Sequence, residues 1–230
     1  MNKLFLSLGI ALVLILTIIG LLIYIMYLYD PSLINGVVDA RYPIEVMSEH
    51  LVNTKNEFTL SFWYYIEGWK YKYNETKTLL NWDDGKLVVE LKPQNNTMVI
   101  SMLDLDGNKR SCVVEDVKLQ KWNFVCLTLW NRSLDIILDD SFSQSCSQDN
   151  SPNYSKSAIM NLLGDDGFNG KLSNVYFYNY ARKYEDSIDL YKKGPMYRSL
   201  LLEWAKKIRG NIKINVNLDL DVDVNVDGVF

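Results

Sequence analysis

The sequence predicts an all-β domain, a sandwich or barrel, set behind an N-terminal membrane helix. Three observations predict it. Between residues 57 and 140, short runs rich in aromatic and β-branched residues recur at roughly ten-residue spacing, separated by turn signals. A stretch of 26 residues, 4–29, carries no charge. After about residue 183 the pattern turns helical, and from residue 211 strictly alternating.

The composition is globular, with 48% hydrophobic and 23% charged residues among 230. That is room for one domain of ordinary size plus extras. A net charge of −4 argues against a nucleic-acid partner, which a protein meets with a basic stripe that displaces counterions from phosphates.

The apolar run at 4–29 exceeds the roughly 20 helical residues that a bilayer core of about 30 Å requires. A cleaved signal peptide is the rival reading, but its apolar core runs about 7–15 residues. The expectation is a retained signal-anchor in the lipid bilayer. Tyr24, Tyr27 and Tyr29 gather at one end, as interfacial aromatics do. Lys3 and the amino terminus lie before the run and Asp30 after it, so the positive-inside bias leaves the N-terminus cytoplasmic and the rest lumenal or extracellular.

Residues 31–36, with Pro31 and Gly36, read as a connector. The strands then follow in order: "EFTLSFWYYI", "KTLLNW", "KLVVELK", "TMVISML", "SCVVEDV", "WNFVCLTLW" and "SLDIILDD". Asp84-Gly85, Pro93-Gln94-Asn95, Asp106-Gly107 and Asn131-Arg132 supply the turns between them. "GFNGKLSNVYFYNYA" ends in a further strand. "KYEDSIDLYKKGP" reads as a short helix with Ile188 and Tyr191 on one side, stopped by Gly194-Pro195. In residues 196–210, Leu200, Leu201, Trp204, Ala205 and Ile208 form the stripe of an amphipathic helix.

The segment 211–230 alternates apolar and polar residues from Ile212 to Val226. Period two selects a long β segment. Asp219, Asp221 and Asp223 on one strand face lie about 7 Å apart, too far for one cation to bind all three. The apolar face needs cover, so this tail is the expected place for self-association.

Three cysteines allow three pairings. Cys126 sits in an apolar run and reads as a small buried hydrophobe, whereas Cys112 and Cys146 lie nearer strand ends. Asn74, Asn95, Asn131 and Asn153 head N-x-[ST] sequons, which a secretory lumen would permit to carry glycans.

Three stretches, "FTLSFWYYIEGW" (58–69), "VVEDVKLQKWNFVCLTLWNRSLDIILDD" (113–140) and "GFNGKLSNVYFYNYARKYEDSIDLYKKGP" (167–195), resemble in that order the concanavalin A-like lectin/glucanase superfamily, in its laminin-G-like branch. Membrane-anchored members of large DNA viruses and algae are the nearest in look. The resemblance implies a jelly-roll β-sandwich over 37–195, between the 1–30 anchor with its 31–36 connector and the 196–210 helix with its 211–230 tail. It implies a Cys112–Cys146 disulfide, Trp122 between the sheets, and Leu172, Val175 and Phe177 in the core. It gives Gly167 and Gly170 a tight backbone. At the "LDIILDD" hairpin, Asp140 replaces the usual glycine.

Glucanases of this superfamily place paired carboxylates on one strand as Glu-x-Asp-x-Glu, and no such motif occurs here. His50 is the sole histidine, and no Walker, dinucleotide or CxxC pattern is present. A glycan hydrolase is thus the third reading, behind a non-catalytic recognition or attachment module and a scaffold protein of a membrane or virion. Sugars stack on aromatic faces, and Trp69, Tyr71 and Tyr73 in one loop with Trp82 beside another are the candidates for a glycan ligand. Calcium, were it bound, would draw on Asp83, Asp84, Asp165 and Asp166.

Overall fold

A computed structural model describes residues 2–28, 30–46, 51, 57–92, 96–152, 154–155, 158–164 and 167–198. The tail, most of the 196–210 helix, His50, Asn95, Asn153, Asp165 and Asp166 lie outside the described residues. The chain divides into two compact units, one of which is Pro31–Arg198.

The other unit holds helix α1 (Asn2–Leu28). Its 27 residues at 1.5 Å each reach about 40 Å, beyond the roughly 30 Å of a bilayer core. Leu8, Val13 and Leu14 are among its many exposed side chains. The window Ser7–Ile25 has a mean hydropathy of 2.9, the one helix among the described residues long and apolar enough to cross a membrane.

Pro31–Arg198 is a sandwich of two six-stranded antiparallel sheets. Its strands are β1 (Ser32–Asp39), β2 (Ile44–Val46), β3 (Glu57–Ile66), β4 (Lys77–Trp82), β5 (Leu87–Leu91), β6 (Met98–Leu103), β7 (Lys109–Val114), β8 (Trp122–Trp130), β9 (Ser133–Leu138), β10 (Ser141–Ser147), β11 (Met160–Leu162) and β12 (Gly170–Tyr178). The first sheet runs β1-β12-β3-β8-β9-β10 and the second β2-β11-β4-β5-β6-β7. Both insert a late strand between early ones, which locks the first and last strands of the sandwich together. Helix α2 (Tyr184–Lys193) follows, with acids in its first turn and lysines in its last, as the helix dipole favours.

The connector expected at 31–36 is instead the first part of β1. Gly36 breaks the apolar alternation in sequence, but in the fold it marks a bulge. Its φ is 92°, and its N–H donates to the side chain of Asn174 at 2.9 Å, itself at a bulge in β12. The Asn174 amide donates onward to the carbonyls of Gly194 and Pro195, which ties the chain after α2 to the sheet. At the other end of β12, a Cβ on Gly170 would collide with the Tyr65 carbonyl, and one on Gly167 with that of Ala40. Only glycine permits these approaches.

The main core lies between the sheets. Phe58, Leu60, Phe62, Tyr64 and Ile66 of β3 face Leu80, Val89, Ile100 and their neighbours, and Leu172, Val175 and Phe177 join them. A second, smaller cluster covers the outer face of the first sheet, where Leu190 of α2 meets Trp63, Phe124, Cys126 and Ile137. Ile188 and Tyr191 pack beside it, with Tyr191 stacked on Trp63 at 5.2 Å. Trp122 belongs to this outer layer, half-buried and 5.6 Å from Tyr65, not to the space between the sheets. It shares its side of β8 with Phe124 and Cys126, and "WNFVCLTLW" is apolar on both sides, so the run hides which way each residue points. Cys126 is buried and unpaired, and burial pushes its thiol to about 11.

Cys112 of β7 is joined to Cys146 of β10, with Cα atoms 6.3 Å apart. These are the edge strands of the two sheets on the same side of the sandwich. The staple closes a loop of 34 residues. At the β9–β10 hairpin the positive φ, 53°, falls on Asp139, so Asp140 is not asked for the glycine conformation.

Opposite this staple, Trp82 stacks on Tyr154 at 4.1 Å, and Phe58 meets both rings edge-on. The Tyr154 hydroxyl is buried with no hydrogen-bond partner among the described residues. Burial, reinforced by Asp83, pushes its ionisation well above the ordinary range, and burial does the same for Tyr64. Each phenol therefore supports the fold fully below about pH 10, its value when unfolded, and that support is lost as the pH rises toward the folded value.

Two outcomes are expected. Tyr154→Phe removes an orphan hydroxyl and should leave denaturant stability unchanged or raised by about 1 kcal/mol, with a shallower loss above pH 10. Tyr154→Ala should lower it by about 3–5 kcal/mol. Reduction of the disulfide should lower stability by about 3–4 kcal/mol in the chain-entropy model, measured by thermal melts with and without reductant.

Candidate recognition surface

The strands end at two opposite rims. One carries the 67–76 loop after β3, the β5–β6 turn and the β9–β10 hairpin. The other carries the turns at 83–86, 104–108 and 131–132, crossed by the connection from β10 to β11.

The aromatic loop lies on the first rim. Trp69 is half-buried against the core, and its indole N–H donates to the Asn96 side chain at 2.9 Å. The Lys77 ammonium stands 5.2 Å from its ring centre. Lys77 is only 2% exposed, and its ammonium donates to the carbonyls of Lys72 and Glu75. Burial lowers its pKa, with Glu75 opposing. Trp69 therefore braces the loop against a buried cation. Tyr71 is partly buried, and Tyr73 is exposed.

Trp82, Asp83 and Asp84 sit at the far end of β4. Six residues separate the two groups, about 17 Å of strand, so the expected aromatics do not converge. Trp82 is 1% exposed and offers no face to a sugar. It fills the core because its strand side faces inward, toward Phe58 and Phe177. The Asp83 carboxylate accepts from the Ser155 N–H at 2.7 Å, the Ser155 hydroxyl at 2.9 Å and Lys86 at 2.8 Å. Burial pushes its pKa up, but the Lys86 and Ser155 donors outweigh burial and hold it below the ordinary carboxylate value. A carboxylate so engaged has little left for calcium. Asp84 is exposed. Among the described residues no group of three or more His, Cys, Asp or Glu side chains is placed to hold a metal ion. The sequon residues Asn74 and Asn131 are both exposed in turns.

Two features of the second rim escape the sequence reading. Trp130, the last residue of β8, is 63% exposed. Its register partners are Glu57 on β3 and Ser133 on β9, so a bare indole lies among polar neighbours. It closes an apolar run, and only the hairpin at Asn131-Arg132 marks it as a tip. The second feature is a polar cleft of about 200 Å³ between the β6–β7 turn and the end of β10, lined by Asp104, Asn108, Lys109, Arg110, Gln148 and Asp149. Turn residues at both walls carry no signal in sequence that they meet. A cleft of about 230 Å³ on the opposite rim is occupied by its own ion pair, where the Arg41 guanidinium holds the Asp39 carboxyl down at about 2.

The sequence over residues 43–186 matches the family model described as the concanavalin A-like lectin/glucanases superfamily. The chain belongs to the concanavalin A-like lectin/glucanases superfamily. Among solved structures, this superfamily member resembles the ligand-binding domain of botulinum neurotoxin serotype D in complex with N-acetylneuraminic acid, at 15% identity and a TM-score of 0.56, covering 72% of this chain and 45% of that one. It is also similar to the receptor-binding domain of the C/D mosaic botulinum neurotoxin, at 14% and 0.55, covering 66% and 40%. A third likeness is to the binding domain of botulinum neurotoxin DC in complex with rat synaptotagmin II, at 16% and 0.51, covering 66% and 40%. The chain spans less than half the length of each, and likeness at such identities shows the fold alone. No curated protein sequence matches the chain.

Asp83→Asn should weaken the clamp that holds Ser155 and lower stability at neutral pH by about 1–3 kcal/mol. Because the carboxyl is depressed in the fold, the deficit should shrink as the pH falls through that carboxyl's range, as denaturant titration at a series of pH values would show.

Proposed function

We propose that this protein is a membrane-anchored, non-catalytic recognition module whose sandwich presents the Trp130 rim to a glycan. The observation that carries the reading is the exposure of Trp130 among polar neighbours. An indole face suits the apolar face of a pyranose, and an exposed tryptophan is otherwise unfavourable in water.

Other features support the setting. The exposed apolar surface of α1 is at home in lipid, and Lys3 near its N-terminal end favours a cytoplasmic N-terminus. The Cys112–Cys146 bond suits the oxidising side of that membrane. The similar neurotoxin structures are binding domains, one in complex with N-acetylneuraminic acid and one with rat synaptotagmin II, which favours recognition over catalysis.

The test is a glycan array probed with the full chain in detergent micelles. Selective retention is expected, and Trp130→Ala should weaken it about three- to tenfold with the melting temperature unchanged. A blank array, or retention indifferent to Trp130, would sink the glycan reading.

A further inference from the structure

The cleft on the Trp130 rim contains an unresolved chemical imbalance. Gln148 lines it, is 5% exposed, and has no hydrogen-bond partner at either amide atom among the described residues. An unpaired buried amide is unfavourable, and in a folded protein it calls for a partner. Its backbone is fixed, since its N–H donates to the Arg132 carbonyl at 2.9 Å.

The other lining groups define what that partner needs. Asp104 is already filled. Its carboxylate accepts from the N–H groups of Asp106 and Asn108 and from the Asn108 amide, with Asn150 adding a backbone donor. These four donors match the roughly four acceptor sites of a carboxylate. Burial raises its pKa, but these donors prevail and keep it ionised. Arg110 spends one N–H on the Ser147 carbonyl, which fixes its guanidinium at the cleft. Its terminal amino groups, and the Lys109 ammonium, have no partner among the described residues. The free groups are thus two cationic donors, one amide and the Asp149 carboxylate. No lining residue is apolar, which disfavours the hydrophobic anchor of a peptide.

We propose that this cleft is a metal-independent subsite for a carboxylate-bearing monosaccharide. Arg110 and Lys109 take the carboxylate, while Gln148 and Asp149 take ring hydroxyls. Rotation of the Gln148 side chain toward the ligand exchanges an unpaired amide for a paired one. Gln148 follows Cys146 on the side of β10 that faces the second sheet, so the cleft opens between the two sheets at this rim, whereas Trp130 lies on the outer side with Phe124 and Cys126. The assignment rests on the glycan reading and names the sugar class.

The test titrates the full chain in micelles with free galacturonate and free galactose, which differ only in the carboxylate at C6. Galacturonate should bind about tenfold more tightly, with or without EDTA. Arg110→Gln should erase that preference. Gln148→Leu should weaken both sugars yet raise the melting temperature, because it removes the orphan amide. Equal affinity for the two sugars, or a preference that survives Arg110→Gln, overturns the subsite while the array result with Trp130→Ala stands by itself. Absence of any titration, with Gln148→Leu lowering the melting temperature, means that the cleft holds only water and also overturns it. Loss of galacturonate binding in EDTA overturns its metal independence.

Discussion

The stack of Trp82 on Tyr154 is the contact on which the sandwich depends. Trp82 comes from the second sheet, Phe58 and Phe177 from the first, and Tyr154 from the long connection between β10 and β11. One aromatic box therefore joins both layers and the segment that crosses between them. That segment leaves the stapled edge of the first sheet and arrives beside β4 in the second. Without a buried anchor it would be a loose loop over a rim. Nailed down at Tyr154, and clamped at Ser155 by Asp83, it becomes a wall of that rim. The shape of that rim is thus a by-product of core packing.

The first sheet is covered on both faces, by the second sheet within and by α2 outside. This explains why β3 and β8 are almost continuously apolar, and why their existence and bounds were plain in the sequence. It also explains what was not plain. A strand apolar on both sides has no parity to read, so nothing local corrects the placement of Trp122 between the sheets or marks Trp130 as exposed. By contrast β5, with its outer face open, alternates in burial, and Glu90 shows that face in the sequence. The strands that escaped notice are β1, broken by the Gly36 bulge, and β2 and β11, of three residues each. Such short strands exist because neighbours pair with them, which local sequence does not record.

The candidate site was less legible for a related reason. Sequence names the chemistry of a side chain but not what has already claimed it. Asp83 looked like a metal donor until Lys86 and Ser155 were found on it. Trp69 looked like a sugar platform, but its indole is committed to Asn96 and Lys77. Gln148 shows the converse. Nothing in "SQSCSQDN" announces an orphan amide, because an orphan is defined by the groups around it, here contributed by a turn some forty residues earlier.

Only residues 29–31 separate α1 from β1. The first backbone bond at the end of this link is made at Pro31, whose carbonyl accepts from the Phe177 N–H of β12, and β1 is an edge strand held by β12 alone. An edge strand drawn from its end peels, and its ladder bonds yield one after another. The grip of Asn174 on Gly36 lies partway along that path and acts as a latch. The disulfide sits on the opposite edge of the first sheet, off the path. The covalent staple and the Asn174 latch thus hold opposite edges of the same sheet, so losing either one leaves the other edge pinned.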